Sequence, residues 1–396
     1  MNRPFHTPRV VIYICGLLAV LGGGALLTVL LQSPERFWPN LLLASFFLLS
    51  LGLAGLVFVA LQYVTGAGWA VALRRVPEAM AAIIPVAGLG LLVVFLAKPS
   101  LYPWASSTLS EEVQTPLHQA WFSQTFFLVR AAAYLAGWLL LGSALVRNSR
   151  RQDDDSSLAY THKNVRLSAL FLVVFGVSFW LASQDWLMSL EPEWSSTIFA
   201  VYQFAGLFVS GLAAIILLSA CLYFLGPFRD VLTKQHLHDL GKLLFGFSSF
   251  WMYLWFCQYM LIWYVNNPEE TSYFTRRLQG DWRPLFFLNV ILNWGIPFLI
   301  LLPKATKQSM GVLAIVSLVV LAGHWLDLYL GILPYSGNPT PSSAAWEVGS
   351  MLGAAGLFGL VFFTALGRAA LVPLGDPFLP ESLPASVVRQ ESVVSA

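Results

Sequence analysis

The stretch that decides the fold is Trp38–Val64, WPNLLLASFFLLSLGLAGLVFVALQYV, which carries no ionisable side chain except Tyr63. A helix of about 20 apolar residues crosses a hydrocarbon core of about 30 Å, and this run exceeds that length. Working outward, similar runs lie at Val10–Leu31, Pro77–Leu96, Thr125–Val146, Leu167–Leu190, Thr197–Leu225, Leu237–Val265, Pro284–Leu302, Met310–Leu333 and Trp346–Leu366. Pro, Gly or clustered charge separates most of them. The sequence therefore predicts an all-α integral membrane protein of about ten transmembrane helices, occupying residues 1–371 and followed by a Pro-, Ser- and Val-rich tail, 372–396, without a fold of its own.

Composition agrees. Hydrophobic residues make up 57%, charged residues 11%, and mean hydropathy is +0.70; soluble proteins carry roughly 25% charge. A net charge of +2, dispersed along the chain, gives no footprint for nucleic acid. Arg3 and Arg9 precede the first run, which is too long for a signal-peptide core and lacks a clear cleavage site; it reads as a retained helix. Basic residues set the orientation. Of the 22 Lys and Arg, Arg36, Lys98, Arg276, Arg277 and Arg283 fall on one side and Arg130 lies inside a helix. The remaining 16 share the side of the chain ends, which predicts cytoplasmic termini. In the connections, Glu111–Trp121 has room for a short helix, Pro268 with Glu269 and Glu270 favours a helix start, and RNSRRQDDDSS (147–157) reads as a solvated charge run.

An internal echo links LASQDWLMSLEP (181–192) to LAGHWLDLYLGILP (321–334), four helices later. Two four-helix bundles, helices two to five and six to nine, would account for it; chance similarity among apolar helices would too.

Ionisable residues inside membrane segments are functional candidates by default. Arg130, Asp185, His324, Asp327 and Glu347 form a layer on the side away from the termini. Glu78, His236, His238, Asp239 and Lys242 form one on the terminus side. His324 and Asp327, three residues apart, share a helix face and could exchange protons or glue helices; Arg130 offers Asp185 a counter-charge. Glu78 follows Pro77 in a first turn, where an acid complements the helix dipole, and His236, His238 and Asp239 suit a cap as well as proton access, while Lys242 can reach the surface. Gln203, Ser248, Ser249, Tyr253, Asn289 and Asn293 lie between the layers. Of six histidines only His324 is deep in a helix, so bis-His haem is not expected; Cys15, Cys221 and Cys257 show no cluster or haem-attachment spacing. The sequence points to no metal held by this chain. The aromatic seventh helix, FWMYLWFCQYMLIWY (250–264), suits plain packing or a slot for a flat ring such as a quinone.

Four segments carry a resemblance: SQDWLMSLEPEWSSTIFAVYQFAG (183–206), HDLGKLLFGFSSFWMYLWFCQYMLIWYVNNPEE (238–270), LNWGIPFLILLPK (292–304) and GHWLDLYLGILP (323–334). They resemble the F subunit of bacterial alternative complex III, a quinol:electron-acceptor oxidoreductase, which is similar to NrfD-type subunits of polysulfide-reductase-like enzymes. The resemblance runs from about Trp38 to Leu366. It implies two four-helix bundles with two flanking helices. It also implies partners: a sister NrfD-like quinol-binding subunit, an iron–sulfur protein and c-type cytochrome subunits, which would hold the iron–sulfur clusters and haem c. In that family the F subunit is held to offer polar half-channels for protons, and Asp185, His324 and Asp327 fall in the matching segments. A stand-alone secondary transporter and a passive scaffold subunit, with or without a quinone pocket, are the alternatives. A transporter would show broken helices at matching places, and NWGIP at Asn293–Pro297 has only a loose counterpart at Ile84–Gly88.

Overall fold

Pro34 at the first turn and Gly66 in the left-handed C-cap (φ +63°) bound one uninterrupted helix, Pro34–Thr65, around which the molecule is built in the computed structural model. Residues 5–105, 115–192, 194–335 and 344–384 are described. The long helices are α1 (Arg9–Gln32), α2 (Pro34–Thr65), α3 (Arg75–Ala97), α4 (Gln124–Arg151), α5 (Leu158–Leu190), α6 (Phe199–Phe224), α7 (Lys234–Val265), α8 (Trp282–Leu301), α9 (Met310–Tyr335) and α10 (Ala344–Leu366). Among the described residues, 9 of these are long and apolar enough to cross a membrane. The other, α7, has 32 residues, about 48 Å at 1.5 Å per residue; its Trp and Tyr residues and its charged first turns lower its hydropathy without shortening it. The chain is an all-α integral membrane protein.

Helices α2–α5 pack as one bundle and α6–α9 as a second, joined where α2 meets α6 and α9 and where α5 meets α6. The most apolar stretch of α2 is entirely buried, which explains why no polar stripe interrupts it. Gly211 of α6 sits so close to α2 that an added Cβ would lie 2.1 Å from that of Ala54. Lipid-facing side chains ring the outside: Val20 and Leu31 of α1, Leu140 of α4, Val173 of α5, Trp263 of α7 and Leu299 of α8 are all more than half exposed.

Helices α1 and α10 flank the bundles and pack on each other. Their seam is made of small residues, which let backbones approach where lipid offers no hydrophobic drive. A Cβ on Gly22 would stand 2.1 Å from Gly353 Cα, and one on Gly356 would stand 2.6 Å from the Cys15 carbonyl.

Two helices are broken. In α3 a turn of 3-10 helix, Ala81–Ile83, precedes Pro85. In α8 a π-turn, Ile291–Gly295, precedes Pro297. Proline has no N–H for the carbonyl four residues back, and the Ser248 hydroxyl of α7 donates to that carbonyl, of Asn293. The extramembrane helix Pro268–Leu278 starts with Pro and two acids and ends with Arg276 and Arg277, as its sequence predicts. Pro116–Trp121 is also helical, while the preceding residues 111–114 lie outside the described set.

The two charged segments on the terminus side differ from expectation. Residues 372–384 do not stand off as a tail. Asp376 pairs with buried Arg74, Ser382 donates to the Trp69 carbonyl at 2.7 Å and meets His236 Nε2 at 3.1 Å, and Val372, Leu379 and Leu383 form a small core with Val71 and Val231. Residues 385–396 lie outside the described set. Nor is the 147–157 run fully solvated: Asn148, Ser149 and Gln152 are buried, and Asp153 pairs with Arg75.

Replacing Gly22 with Leu should part α1 from α10, at a cost of at least the 1–3 kcal/mol typical of overpacking. Thermal unfolding in detergent should show a lowered midpoint, whereas Gly24→Leu, which meets nothing within 4 Å, should leave it in place.

Candidate functional site

Two buried aspartates occupy corresponding places in the two bundles. Asp185 stands seven residues before Pro192 on α5, and Asp327 seven before Pro334 on α9. Each points into its own bundle and is held by side chains from neighbouring helices. They differ in what holds them.

Asp185 is 1% exposed and neutralised. Arg130 of α4 grips it with two bonds, Nε to Oδ2 at 2.9 Å and Nη2 to Oδ1 at 3.0 Å, the two-pronged geometry that suits a guanidinium and a carboxylate. Trp121 Nε1 donates to the same Oδ1 at 2.9 Å. Arg130 also donates to the Trp121 carbonyl at 2.7 Å and lies over the rings of Trp121 and Phe126. A charge inside the membrane is here balanced by a charge.

Asp327 has no such partner: among the described residues no cation stands within ion-pair distance of it. It takes three neutral donors, one from each other helix of its bundle. Tyr202 of α6 donates its hydroxyl to Oδ1, Asn289 of α8 donates Nδ2 to Oδ1 at 2.8 Å, and Trp251 of α7 donates Nε1 to Oδ2 at 3.3 Å. Indole and amide N–H groups only donate, whereas a phenol can donate or accept. Tyr202 can therefore reverse its bond in place when the carboxyl carries a proton, whereas Asn289 would have to turn its amide over.

From Asp327 a polar column continues along α8. Asn293, one turn beyond Asn289, donates to the Asn289 side-chain oxygen at 2.6 Å and to its carbonyl at 3.0 Å. Asn293 Oδ1 is buried without a partner among the described residues, and Ser248 closes the column at the Asn293 carbonyl. Gly323 of α9 makes room, since a Cβ there would come within 2.9 Å of the Asn293 amide. In the other direction Asp327 borders a cavity of about 30 Å³, above the roughly 10–15 Å³ that one water requires. Gln203, Tyr273 and Arg277 also line it. Arg277 is bound to Glu191 at 2.6 Å and to the Leu330 carbonyl at 2.7 Å, tying the end of α5 to the end of α9.

The remaining predicted residues divide. His324 is 1% exposed and lies between the bundles, its ring 5.9 Å from that of Phe47 and against Gly206. Neither ring nitrogen has a hydrogen-bond partner among the described residues, and the shared helix face does not join it to Asp327 by a hydrogen bond. Glu347 is buried on α10, within electrostatic reach of Arg36 and Tyr329, apart from both aspartates.

On the terminus side the structure separates residues that the sequence groups. Glu78 pairs with Arg75 at 2.6 Å in the first bundle. His236 belongs to a capping box with Thr233. Asp239 and Lys242 form a pair at 2.7 Å, with Lys242 54% exposed. His238, Asp239 and Lys242 fall off the buried stripe of α7 that runs through Leu237, Leu240, Gly241, Leu244 and Ser248. Helical phase thus keeps these three from the Asn293 column, and buried Leu244 separates the column from that end of α7. Phase also removes Tyr253, which is 61% exposed on the outer face. Sequence reasoning missed Tyr202, Trp251, Arg277 and Glu191. Each sits in or beside an apolar run, and only Glu191 and Arg277 offered a signal, as opposite charges at helix ends.

Fold and site together define a polytopic helical membrane protein with one salt-bridged and one cation-free carboxylate at matching positions. No protein-family model matches the sequence, and no curated protein shows significant similarity to it.

Arg130→Ala leaves Asp185 buried without its partner, a change that costs about 3–5 kcal/mol. The protein should unfold at a clearly lower temperature in detergent, and the double replacement R130M/D185L should recover most of the loss.

Proposed function

We propose that this chain is a membrane subunit of a quinol-oxidising, electron-acceptor-reducing complex of the alternative complex III type, and that it contributes a proton-conducting half-channel rather than redox centres. The observation that carries the proton role is the cage of Asp327: a buried carboxylate held only by neutral donors, one of them reversible in place, at the head of an Asn–Asn–Ser column. A carboxyl group so placed can change protonation without breaking an ion pair. Asp185, locked by Arg130, serves instead to fasten the first bundle.

The assignment to the complex rests on the resemblance of segments 183–206, 238–270, 292–304 and 323–334. On this reading the iron–sulfur protein, the c-type cytochrome subunits and the sister NrfD-like subunit supply the redox chemistry and the main quinol site. The charge asymmetry of the loops supports cytoplasmic termini in a bacterial cytoplasmic membrane. Asp327 and its cavity then face the outer half of the bilayer and the column runs inward.

A second reading is favoured by one observation: α3 and α8 are both interrupted, and broken helices are a mark of secondary transporters. Mild-detergent purification from the native membrane separates the two. Co-purifying c-type haem with quinol-oxidising activity supports the complex; a colourless chain without partners supports the transporter.

In the purified complex, Asp327→Asn should retain assembly and haem reduction while proton release slows at least tenfold, which corresponds to about 1.4 kcal/mol on the barrier. Turnover and proton release both unchanged would make the chain a scaffold. Tyr202→Phe should slow release in the same direction, as it removes the hydroxyl that can accept a hydrogen bond from the protonated carboxyl.

A further inference from the structure

A cavity of about 520 Å³ opens on the terminus side of the first bundle, between α2, α3, α4 and the end of α10. That volume lies in the range of small-ligand sites, and the cavity belongs to neither aspartate. Its deep wall is apolar, with Leu56, Ile84, Trp138 and Leu139; its mouth carries Arg147, Arg150 and Arg151 of α4 and Arg368 beyond α10. Arginines at a helix C-terminus complement the dipole, which would explain the α4 residues alone. It does not explain a fourth arginine converging onto the same cavity from the segment after α10.

None of the four makes an ion pair among the described residues. Arg150 is half-buried, donates to the Ala365 carbonyl at 3.4 Å, and keeps its Nε buried without a partner among the described residues. Two acids also line the space: Asp154, exposed at the rim, and Glu78. Glu78 Oε2 is taken by Arg75, while Oε1 is buried and has no partner among the described residues. The cavity thus presents a surplus of guanidinium groups for a phosphate and one unsatisfied carboxylate oxygen for a hydroxyl donor, above an apolar wall continuous with the bilayer.

We infer that this cavity is a binding site for an anionic phospholipid with a hydroxyl-bearing headgroup, such as phosphatidylglycerol. The phosphodiester sits among Arg147, Arg150 and Arg368, and a headgroup hydroxyl donates to Glu78 Oε1. An acyl chain runs past Ile84, Leu139 and Trp138. Basic pockets between membrane helices hold anionic headgroups by this chemistry, and guanidinium groups suit phosphate better than ammonium groups do. Exposed Ser143 and Arg147 leave the site open to a lipid arriving from the side. The inference does not depend on the proton role of Asp327.

The test is native mass spectrometry of the full-length protein, delipidated stepwise and then offered phosphatidylglycerol, phosphatidylethanolamine or glycerol phosphate. The wild type should retain one phosphatidylglycerol at least tenfold more tightly than phosphatidylethanolamine, and should bind glycerol phosphate far more weakly. R147Q/R368Q, which alters two exposed side chains, should lose that preference, while K163Q/R166Q, an equal charge loss elsewhere on the same side, should keep it. Glu78→Gln should narrow the gap between phosphatidylglycerol and an anionic lipid without headgroup hydroxyls. Equal retention by R147Q/R368Q and K163Q/R166Q would overturn the site. Equal binding of phosphatidylethanolamine would overturn its anionic character, and tight binding of glycerol phosphate would assign the cavity to a soluble phosphate compound.

Discussion

A buried carboxylate inside this protein must find its partners within the protein, because hydrocarbon offers none. The structure answers that constraint in two ways at equivalent places. In the first bundle a charge is met by a charge: Arg130 clasps Asp185 with two bonds. In the second bundle Asp327 collects dipoles from three helices instead. An ion pair fixes a geometry and resists any change of charge. A ring of dipoles fixes the same geometry and tolerates one. The functional proposal grows from that difference.

The consequences spread along α8. Placing Asn289 and Asn293 on the Asp327 side uses a helix whose hydrogen bonding is already interrupted by Pro297. Ser248 supplies the missing bond, so the interruption is structurally complete rather than loose. π-turns inside membrane helices often occur where function needs a side chain re-aimed, and here the turn carries Asn293 itself. Gly323 opposite it is the matching concession on α9.

The fold was legible because its signal is length: ten apolar runs, with breaks at Pro, Gly and charge. The Asp185–Arg130 pair was legible because two lone charges in apolar helices at one depth have few other partners. Other features lay beyond one sequence for physical reasons. Tyr253 and Ser248 look alike in an aromatic helix, and only helical phase relative to unseen neighbours sends one to lipid and the other to Asn293. Tyr202 and Trp251 read as packing aromatics because their polar atoms act only once three helices converge. Residues 372–384 have the composition of a linker; their order comes from Arg74, Trp69 and His236, all distant in sequence.

That last arrangement bears on how the protein is made. Arg74 is buried and precedes its partner Asp376 by 302 residues. Chains are synthesised and begin to fold from the N-terminus, so eight of the ten long helices emerge while Arg74 still lacks this carboxylate. Val71 likewise waits for Leu379 and Val372 to complete its small core. The terminus-side loops of both bundles, through Arg74, Asp153 and His236, meet on one segment translated after α10. Synthesis of residues 372–384 is thus itself the event that fastens this face, and a polypeptide stopped after α10 would present a buried arginine without its acid.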